Sequence, residues 1–174
     1  TPVNDPPTAL ASNMVVTDED TPSAPVPIEP SDVESTSFTY SLIASSLPTS
    51  GTVAFIGDSF VYTPFPDVNG ADSFSFFVDD GEFGYFRQDV TVTINPVNDD
   101  PVAGDDAAAT DQDLPVDIAA ADLLANDSDI DGDALTVTGV SGAVNGTVSL
   151  MGTTVTFTPD PGFFGVAGFD YAIS

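Results

Sequence analysis

Four aspartates fall within seven residues at Asp127-Ser128-Asp129-Ile130-Asp131-Gly132-Asp133. Carboxylates at alternate positions around a glycine turn can converge on one hard cation, and an all-oxygen donor set suits Ca2+. The first six residues match the opening of an EF-hand loop, but its twelfth position, which needs a bidentate Glu, is Thr138, and no long helices flank the run. An oxygen-ligand loop is therefore expected here without an EF-hand. The plainer reading, a polar turn on an acidic surface, leaves like charges crowded with nothing to neutralise them.

A second group of oxygen donors lies around the middle of the chain. Asn98, Asp99 and Asp100 form an Asn-Asp run between two strand-rich stretches, Asp79 and Asp80 close the first stretch, and Asp111 and Asp113 open the second. Loops at one end of a β-sandwich lie close together, so Asp79 and Asp80 are expected near the linker. The sequence does not fix which end of the second stretch Asp111 and Asp113 approach. Calcium held there would stiffen a joint already restricted by proline; the alternative is a flexible acidic hinge. Phe83 and Tyr85 carry another chemistry. They are out of phase with Val90, Val92 and Ile94, so they could be exposed and stack on sugar rings or a protein partner; the simpler expectation is that they cover the sandwich end.

The charge balance supports a cation as partner. The 174 residues hold 28 Asp and Glu against one basic residue, Arg87, with no Lys and no His, a net charge of −27. Such a chain repels nucleic-acid phosphates and anionic membrane surfaces alike. Without Cys or His, structural zinc is implausible and no disulfide staples the fold. No apolar run approaches membrane-spanning length, and no signal peptide is evident. Nucleophile–base pairs using His, Cys or Lys are impossible, and no pair of acids stands out as a glycosidase dyad, so no enzyme is expected. The opening Thr1-Pro2-Val3-Asn4-Asp5-Pro6-Pro7 reads as a linker, as in a piece of a longer protein.

An internal repeat supplies the elements that position these groups. Val3-Asn4-Asp5-Pro6-Pro7 recurs as Val97-Asn98-Asp99-Asp100-Pro101, and Thr17-Asp18-Glu19-Asp20-Thr21-Pro22 as Thr110-Asp111-Gln112-Asp113-Leu114-Pro115. Gly51-Thr52-Val53 recurs as Gly146-Thr147-Val148, and Tyr62-Thr63-Pro64 as Phe157-Thr158-Pro159. Gly70, Phe74, Phe76 and Val78 recur as Gly165, Phe169, Tyr171 and Ile173. The order is kept, at the length of a small β-sandwich. Period-two alternation, as in Phe38–Leu42, Ser59–Thr63, Phe74–Phe76 and Val90–Ile94, predicts half-buried strands. Only Ile118–Ala125 reads as helical, with Leu123 and Leu124 inward.

The expected architecture is all-β: two tandem Greek-key sandwiches over residues 1–97, with linker 1–7, and 98–174. Ser174 matches Asp79, so the second sandwich lacks a counterpart of the last strand. It is expected to be strained, partly disordered or completed by another chain adding a strand. The counterpart of the aspartate loop in the first unit, Ser31-Asp32-Val33-Glu34-Ser35-Thr36, keeps two acids and no glycine, and a solvated loop is expected there. Asn4, Asp5, Asp18, Glu19 and Asp20 would belong to a joint at the start of the chain. Asp72 faces Ala167 in the repeat, so whatever it does is not shared.

These residues also carry a family resemblance. The linker Val97–Pro101 resembles the Asn-Asp linkers of cadherins. The run from Leu123 to Leu135, with Gly146-Thr147-Val148, Phe157-Thr158-Pro159 and Gly165–Tyr171, resembles bacterial cadherin-like repeats of surface adhesins and secreted polysaccharide-degrading enzymes. The resemblance implies calcium at the joints between neighbouring repeats and an extracellular array used for adhesion or spacing. The Asp-Arg-Glu motif of animal cadherins and a tryptophan for strand exchange are missing, so animal-style homophilic adhesion is not implied. Polysaccharide binding and self-association remain the alternatives.

Overall fold

The computed structural model describes residues 3–9 and 14–174; Thr1 and Pro2 of the opening linker lie outside the described residues. The chain divides into two compact units, Thr1–Val97 and Asn98–Ser174. Among the described residues, unit 1 holds nine strands: β1 (Thr8–Ala9), β2 (Met14–Asp18), β3 (Val26–Pro27), β4 (Pro30–Ser31), β5 (Thr39–Leu42), β6 (Gly51–Phe55), β7 (Ser59–Pro64), β8 (Gly70–Asp79) and β9 (Tyr85–Asn95). One sheet has the order β2-β9-β8-β5, a second β3-β7-β6, and β1 pairs with β4.

Alternation builds the core of unit 1. Along β9 the even-numbered Val90, Val92 and Ile94 are buried while Thr91 and Thr93 are exposed, as a strand with one solvated face requires. They meet Phe74, Phe76 and Val78 of β8, Phe60 and Tyr62 of β7, and Val15 of β2 in one cluster, with Phe38, Tyr40, Leu42, Val53 and Phe55 packed against it. The rings pack edge-on or offset, as in Phe60–Phe74 at 5.4 Å and 86°. β2 runs parallel to β9 and β8 antiparallel to it over ten registered pairs, from Gly70↔Ile94 to Asp79↔Tyr85. At roughly 3.3 Å per residue, this ladder separates the two ends of unit 1 by about 30 Å.

Unit 2 holds β10 (Val116–Ala119), a single helical turn α1 (Ala120–Leu123), β11 (Val137–Val144), β12 (Gly146–Met151), β13 (Thr154–Pro159) and β14 (Gly168–Ile173). Its sheets are β10-β13-β12 and β11-β14. The helical segment is shorter than its sequence suggests. Ile118 and Ala119 stay in β10, paired to Val155 and Thr154, and the turn passes into a 3-10 stretch at Leu124–Asn126. Leu123 is buried but Leu124 only half so.

β14 corresponds to β8, yet among the described residues it carries a strand on one edge only. The buried apolar side chains of unit 2 are Ala120, Leu123, Val155 and Phe157, against ten in the cluster of unit 1; Leu135, Val137, Val148, Leu150, Phe169, Tyr171 and Ile173 are half-buried. Burial is the main favourable term in folding, so the two units differ in stability. Calorimetry is expected to show two transitions. Val155→Ala, at a fully buried site, should lower only the first of them, by about 2 kcal/mol. A single transition, or a shift of the upper one, would contradict this assignment.

Candidate functional site

At the Asp79 end of unit 1, three segments converge, joined by side-chain donors of Ser35 and Asn4. Asp32 Oδ1 accepts the N–H groups of Glu34 (2.8 Å) and Ser35 (2.7 Å), a short Asx turn. Ser35 Oγ reaches the carbonyl of Asp80 at 3.4 Å. Asp80 Oδ1 accepts the N–H groups of Glu82 (2.7 Å) and Gly84 (3.0 Å), and Asn4 donates to its Oδ2 at 2.9 Å. The Asn4 bond above all, with the two backbone donors, holds the Asp80 carboxyl below the usual carboxylate range against the opposing effect of burial. A Cβ at Gly84 would press on Asp80 Oδ2, so a side chain there would displace the carboxylate.

Two oxygens at this end are left over. Asp32 Oδ2 and Asn4 Oδ1 are buried and have no hydrogen-bond partner. Buried acceptors are normally satisfied, and an orphaned one costs about 1–3 kcal/mol. Acceptors without donors are what an oxygen-seeking cation needs, so Asn4, Asp32 and Asp80 fit Ca2+ as a donor set. The sequence pattern does not announce this grouping, because the loop itself holds only Asp32 and Glu34; Asn4 and Asp80 reach it from 28 and 48 positions away.

The other end of unit 1 holds a second acidic group. Glu19 is 2% exposed, and its Oε1 accepts the N–H of Val97 at 2.7 Å. Asn69 approaches both of its oxygens, at 3.5 and 3.4 Å. Asn95 donates to Asp18 Oδ1 at 2.9 Å. Asp20, with φ +57°, accepts the N–H of Asp67 at 3.0 Å, and carboxylate oxygens of the two lie within 4.8 Å of each other. Arg87, the chain's one basic residue, pairs with Asp89 at 2.7 Å. Glu19 is thus a buried carboxylate with only neutral donors around it, a costly state that a bound cation would relieve.

These positions correct two expectations. Asp79 and Asp80 lie with Asn4 and Asp32, at the end of unit 1 remote from Val97, because β8 runs away from β9's exit. Asp18, Glu19 and Asp20 do not join Asn4 at the start of the chain; β2 runs parallel to β9 and delivers them beside Asn95. Asp67 and Asn69 were not anticipated at all. They follow β7 in a stretch with no pattern of its own, and only the fold brings them to Asp20 and Glu19.

Unit 2 repeats part of this plan. Asp131 Oδ2 accepts the N–H of Asp99 at 2.8 Å, which ties the Asn98–Asp100 run to the aspartate loop. Asp129 closes that loop on itself, accepting from Asp133 N–H (3.1 Å) and Gly132 N–H (3.3 Å), with Gly132 at φ +81°. Asp127 is drawn inward instead. Its carboxylate accepts from Gly104 N–H at 2.7 Å and lies 3.1 Å from the Tyr171 hydroxyl. Burial, then Asp106 and Asp127, push that hydroxyl's pKa up. Asp111 and Asp113 lie at the other end of the unit. Asp113, at φ +64°, accepts the N–H of Gly162 at 2.6 Å, as Asp20 does from Asp67. Gln112 and Gly162 stand where unit 1 has Glu19 and Asp67, so this end has lost two of its carboxylates.

Phe83 and Tyr85 do not cover the end of the sandwich. Phe83 is 102% exposed in the β8–β9 turn and Tyr85 63% exposed at the start of β9, packed edge-to-face on Phe77 at 5.0 Å.

Residues 4–94, more than half of the chain, match the family model described as a bacterial Ig domain. The chain belongs to the bacterial Ig domain family. Residues 97–174 match a second model, described as a cadherin-like domain. Solved structures similar to this bacterial Ig domain chain include an endo-fucoidan hydrolase of glycoside hydrolase family 107 (18% identity over 91% of this chain and 24% of that one, TM-score 0.44). Others are protocadherin gamma B7 extracellular domains 1–4 (12% identity, 97% and 49%, TM-score 0.44) and a Bacteroides ovatus glucan-utilisation protein, SGBP-B, in complex with a mixed-linkage heptasaccharide (16%, 99% and 44%, TM-score 0.39). The chain spans between a quarter and half of these proteins. No protein with a curated description matches it. Among the described residues, no helix is long and apolar enough to cross a membrane.

Proposed function

We propose that the chain is a pair of calcium-binding, non-catalytic extracellular repeats that act as a stiff spacer or adhesive segment in a longer surface or secreted protein. The observation that carries this reading is the pair of buried oxygens without hydrogen-bond partners, Asn4 Oδ1 and Asp32 Oδ2, at the end of unit 1 where Asn4 bonds the Asp80 carboxylate and the Asp32 loop reaches the Asp80 carbonyl through Ser35. Asn4, Asp32, Asp79 and Asp80 would hold calcium at one end of unit 1, and Asp18, Glu19, Asp20 and Asp67 at the other. In unit 2 the ligands would come from Asn98, Asp99, Asp100, Asp127, Asp129, Asp131 and Asp133, with Asp127 sharing its carboxylate with the Gly104 N–H and the Tyr171 hydroxyl. Asp111 and Asp113 would bind weakly at best, for want of the carboxylates that Glu19 and Asp67 supply in unit 1.

The bound ion supplies positive charge and oxygen coordination; the chain does the rest. Clustered carboxylates that repel one another would be held in their folded positions. Val97, already hydrogen-bonded to Glu19, would be fixed where the chain leaves unit 1, which restricts the segment that follows. Extracellular sites of this kind bind at about 10⁻⁴ to 10⁻³ M, so stiffness would track the calcium level of the surroundings. Calorimetric titration with calcium, counted by native mass spectrometry, tests the reading. The chain is expected to take up more than one ion, with one lost in Asp32→Asn and a different one in Glu19→Gln. An absence of heat and of calcium adducts would end the proposal.

A further inference from the structure

The four-stranded sheet of unit 1 turns one face to solvent; β5, β8 and β9 present mostly hydroxyls there, and the edge strand β2 presents Met14 and Val16. Thr39 and Ser41 of β5, Ser73 of β8, and Thr91 and Thr93 of β9 alternate with the buried residues of their strands. At one end the pattern breaks. Phe77 and Tyr85 form an edge-to-face pair, and Arg87, directly across from Phe77 in the ladder, is pinned beside them. Arg87 Nε donates to Asp89 Oδ1 at 2.8 Å, and its terminal nitrogen reaches Ser75 Oγ at 3.2 Å. Ser75 in turn donates to Asp89 at 2.6 Å. Those bonds, Ser75 first and then Arg87, hold the Asp89 carboxyl below its ordinary range.

Phe83 adds to this end. It is fully exposed at φ +73°, a backbone region that a bulky residue occupies at a cost. Folding gains nothing from an aromatic ring held in solvent by a strained turn, whereas a ligand that covered the ring would.

We infer that this end of the sheet face binds an uncharged glycan, with pyranose rings stacked on Tyr85 and Phe83 and their hydroxyls bonded by the Arg87–Asp89 fork. The exposed rings and a preorganised fork with both donors and acceptors suit a polyol, because each sugar presents an apolar C–H face and vicinal hydroxyls. Charge decides against an anionic polymer. The chain carries −27, and its one cation is already cancelled by Asp89. A protein partner would be expected to need a broad apolar patch, whereas the rings lie at the Asp79–Tyr85 end of the ladder and the other exposed apolar side chains of the sheet, Met14 and Val16, lie level with Thr91 and Thr93 toward its opposite end.

Affinity electrophoresis of the whole chain through gels containing β-glucan, galactomannan, xylan or a sulfated galactan tests this. Retardation is expected in at least one neutral gel and not in the sulfated one. Tyr85→Ala should weaken binding roughly tenfold, and Phe83→Ala should weaken it measurably; Phe83→Ala should leave the melting temperature unchanged because its ring is fully exposed, and Tyr85→Ala should lower it by only about a few degrees through loss of the Phe77 contact, with unit 1 still folded. Phe164→Ala, at an equally exposed aromatic of unit 2, should leave mobility as it was. The inference is overturned by unchanged mobility in every neutral gel, by retardation in the sulfated gel alone, or by full binding in Tyr85→Ala. It is equally overturned if light scattering shows a dimer that Tyr85→Ala dissolves, since the face would then be a contact between copies.

Discussion

Unit 1 is expected to lose on the order of 10 °C in melting temperature when saturating calcium is replaced by EGTA. An ion that binds only the folded state adds RT ln(1 + [L]/Kd), about 2.7 kcal/mol per site at a hundredfold excess over Kd. For a domain of this size 1 kcal/mol moves the midpoint by about 4–8 °C, so one site accounts for the shift and two would exceed it. Removal of the ion also restores repulsion among Asp18, Glu19, Asp20 and Asp67 at one end of the unit. Magnesium should replace calcium poorly, because it demands near-octahedral geometry and releases its water reluctantly, and the segments at both ends are fixed by strands that cannot tighten around a smaller ion. Sodium chloride at high concentration should recover only a small part of the loss, since screening weakens repulsion between exposed carboxylates but supplies nothing to Asn4 Oδ1 or Asp32 Oδ2, which are buried. Superimposable melting curves in calcium and in EGTA would remove the basis for reading the acidic ends as metal centres.

Much of the fold was legible because its determinants are local and occur twice. Gly51 and Gly146 illustrate why. A Cβ on Gly51 would lie 2.6 Å from the Tyr62 ring, and one on Gly146 would lie 2.5 Å from the Phe157 ring, so the glycine and the aromatic recur together as a packing unit. The Thr17–Pro22 block recurs for a similar reason. Thr17 Oγ1 caps the carbonyl of Thr21 at 2.7 Å and Thr110 Oγ1 that of Leu114 at 2.8 Å, around an aspartate at positive φ. The strand pattern needed only alternation, and β9 contains the Val90–Ile94 run that its sequence indicates.

The candidate centres were harder to read, because the direction of each strand, and not its composition, decides which acids meet. Parallel pairing of β2 with β9 sends Asp18–Asp20 to Asn95, and antiparallel pairing of β8 sends Asp79 and Asp80 to the opposite end. Nothing in the alternation of either strand encodes that choice. Asp127 shows another limit. Its place in the aspartate run suggests a ligand, while its partner Tyr171 lies 44 residues away on β14.

Asp72→Ala is expected to destabilise unit 1 by about 3 kcal/mol, the largest effect of any single acidic substitution in it. Asp72 is a buried carboxylate with a full set of donors: Tyr62 hydroxyl at 2.6 Å, Ser73 N–H at 2.8 Å, Ser50 N–H at 2.9 Å, and Thr49 through both N–H and Oγ1 at 3.1 Å. It fastens the segment before β6 to the start of β8 and satisfies a hydroxyl in the core. Burial pushes its pKa up, but the Tyr62 hydrogen bond and the three backbone donors outweigh that and leave it lowered; burial and the same carboxylate raise that of Tyr62. The signs fix the pH window. A depressed carboxyl contributes fully above its unfolded value near 3.9 and loses its contribution as pH falls through the lower folded value; a raised phenol contributes fully below about 10. The gap in stability between wild type and Asp72→Ala should therefore be flat from about pH 5 to 9 and shrink as the pH drops below about 4. Tyr62→Phe should cost about 1 kcal/mol in the wild-type background and almost nothing in Asp72→Ala, because the hydroxyl would by then have lost its acceptor. Unit 2 already carries the double replacement. Phe157 stands for Tyr62 and Ala167 for Asp72, and with the hydroxyl gone the carboxylate it would have satisfied is gone too. If the two costs simply add, or if the Asp72→Ala penalty is the same at pH 2 as at pH 7, the carboxylate is not what secures this corner of the sandwich.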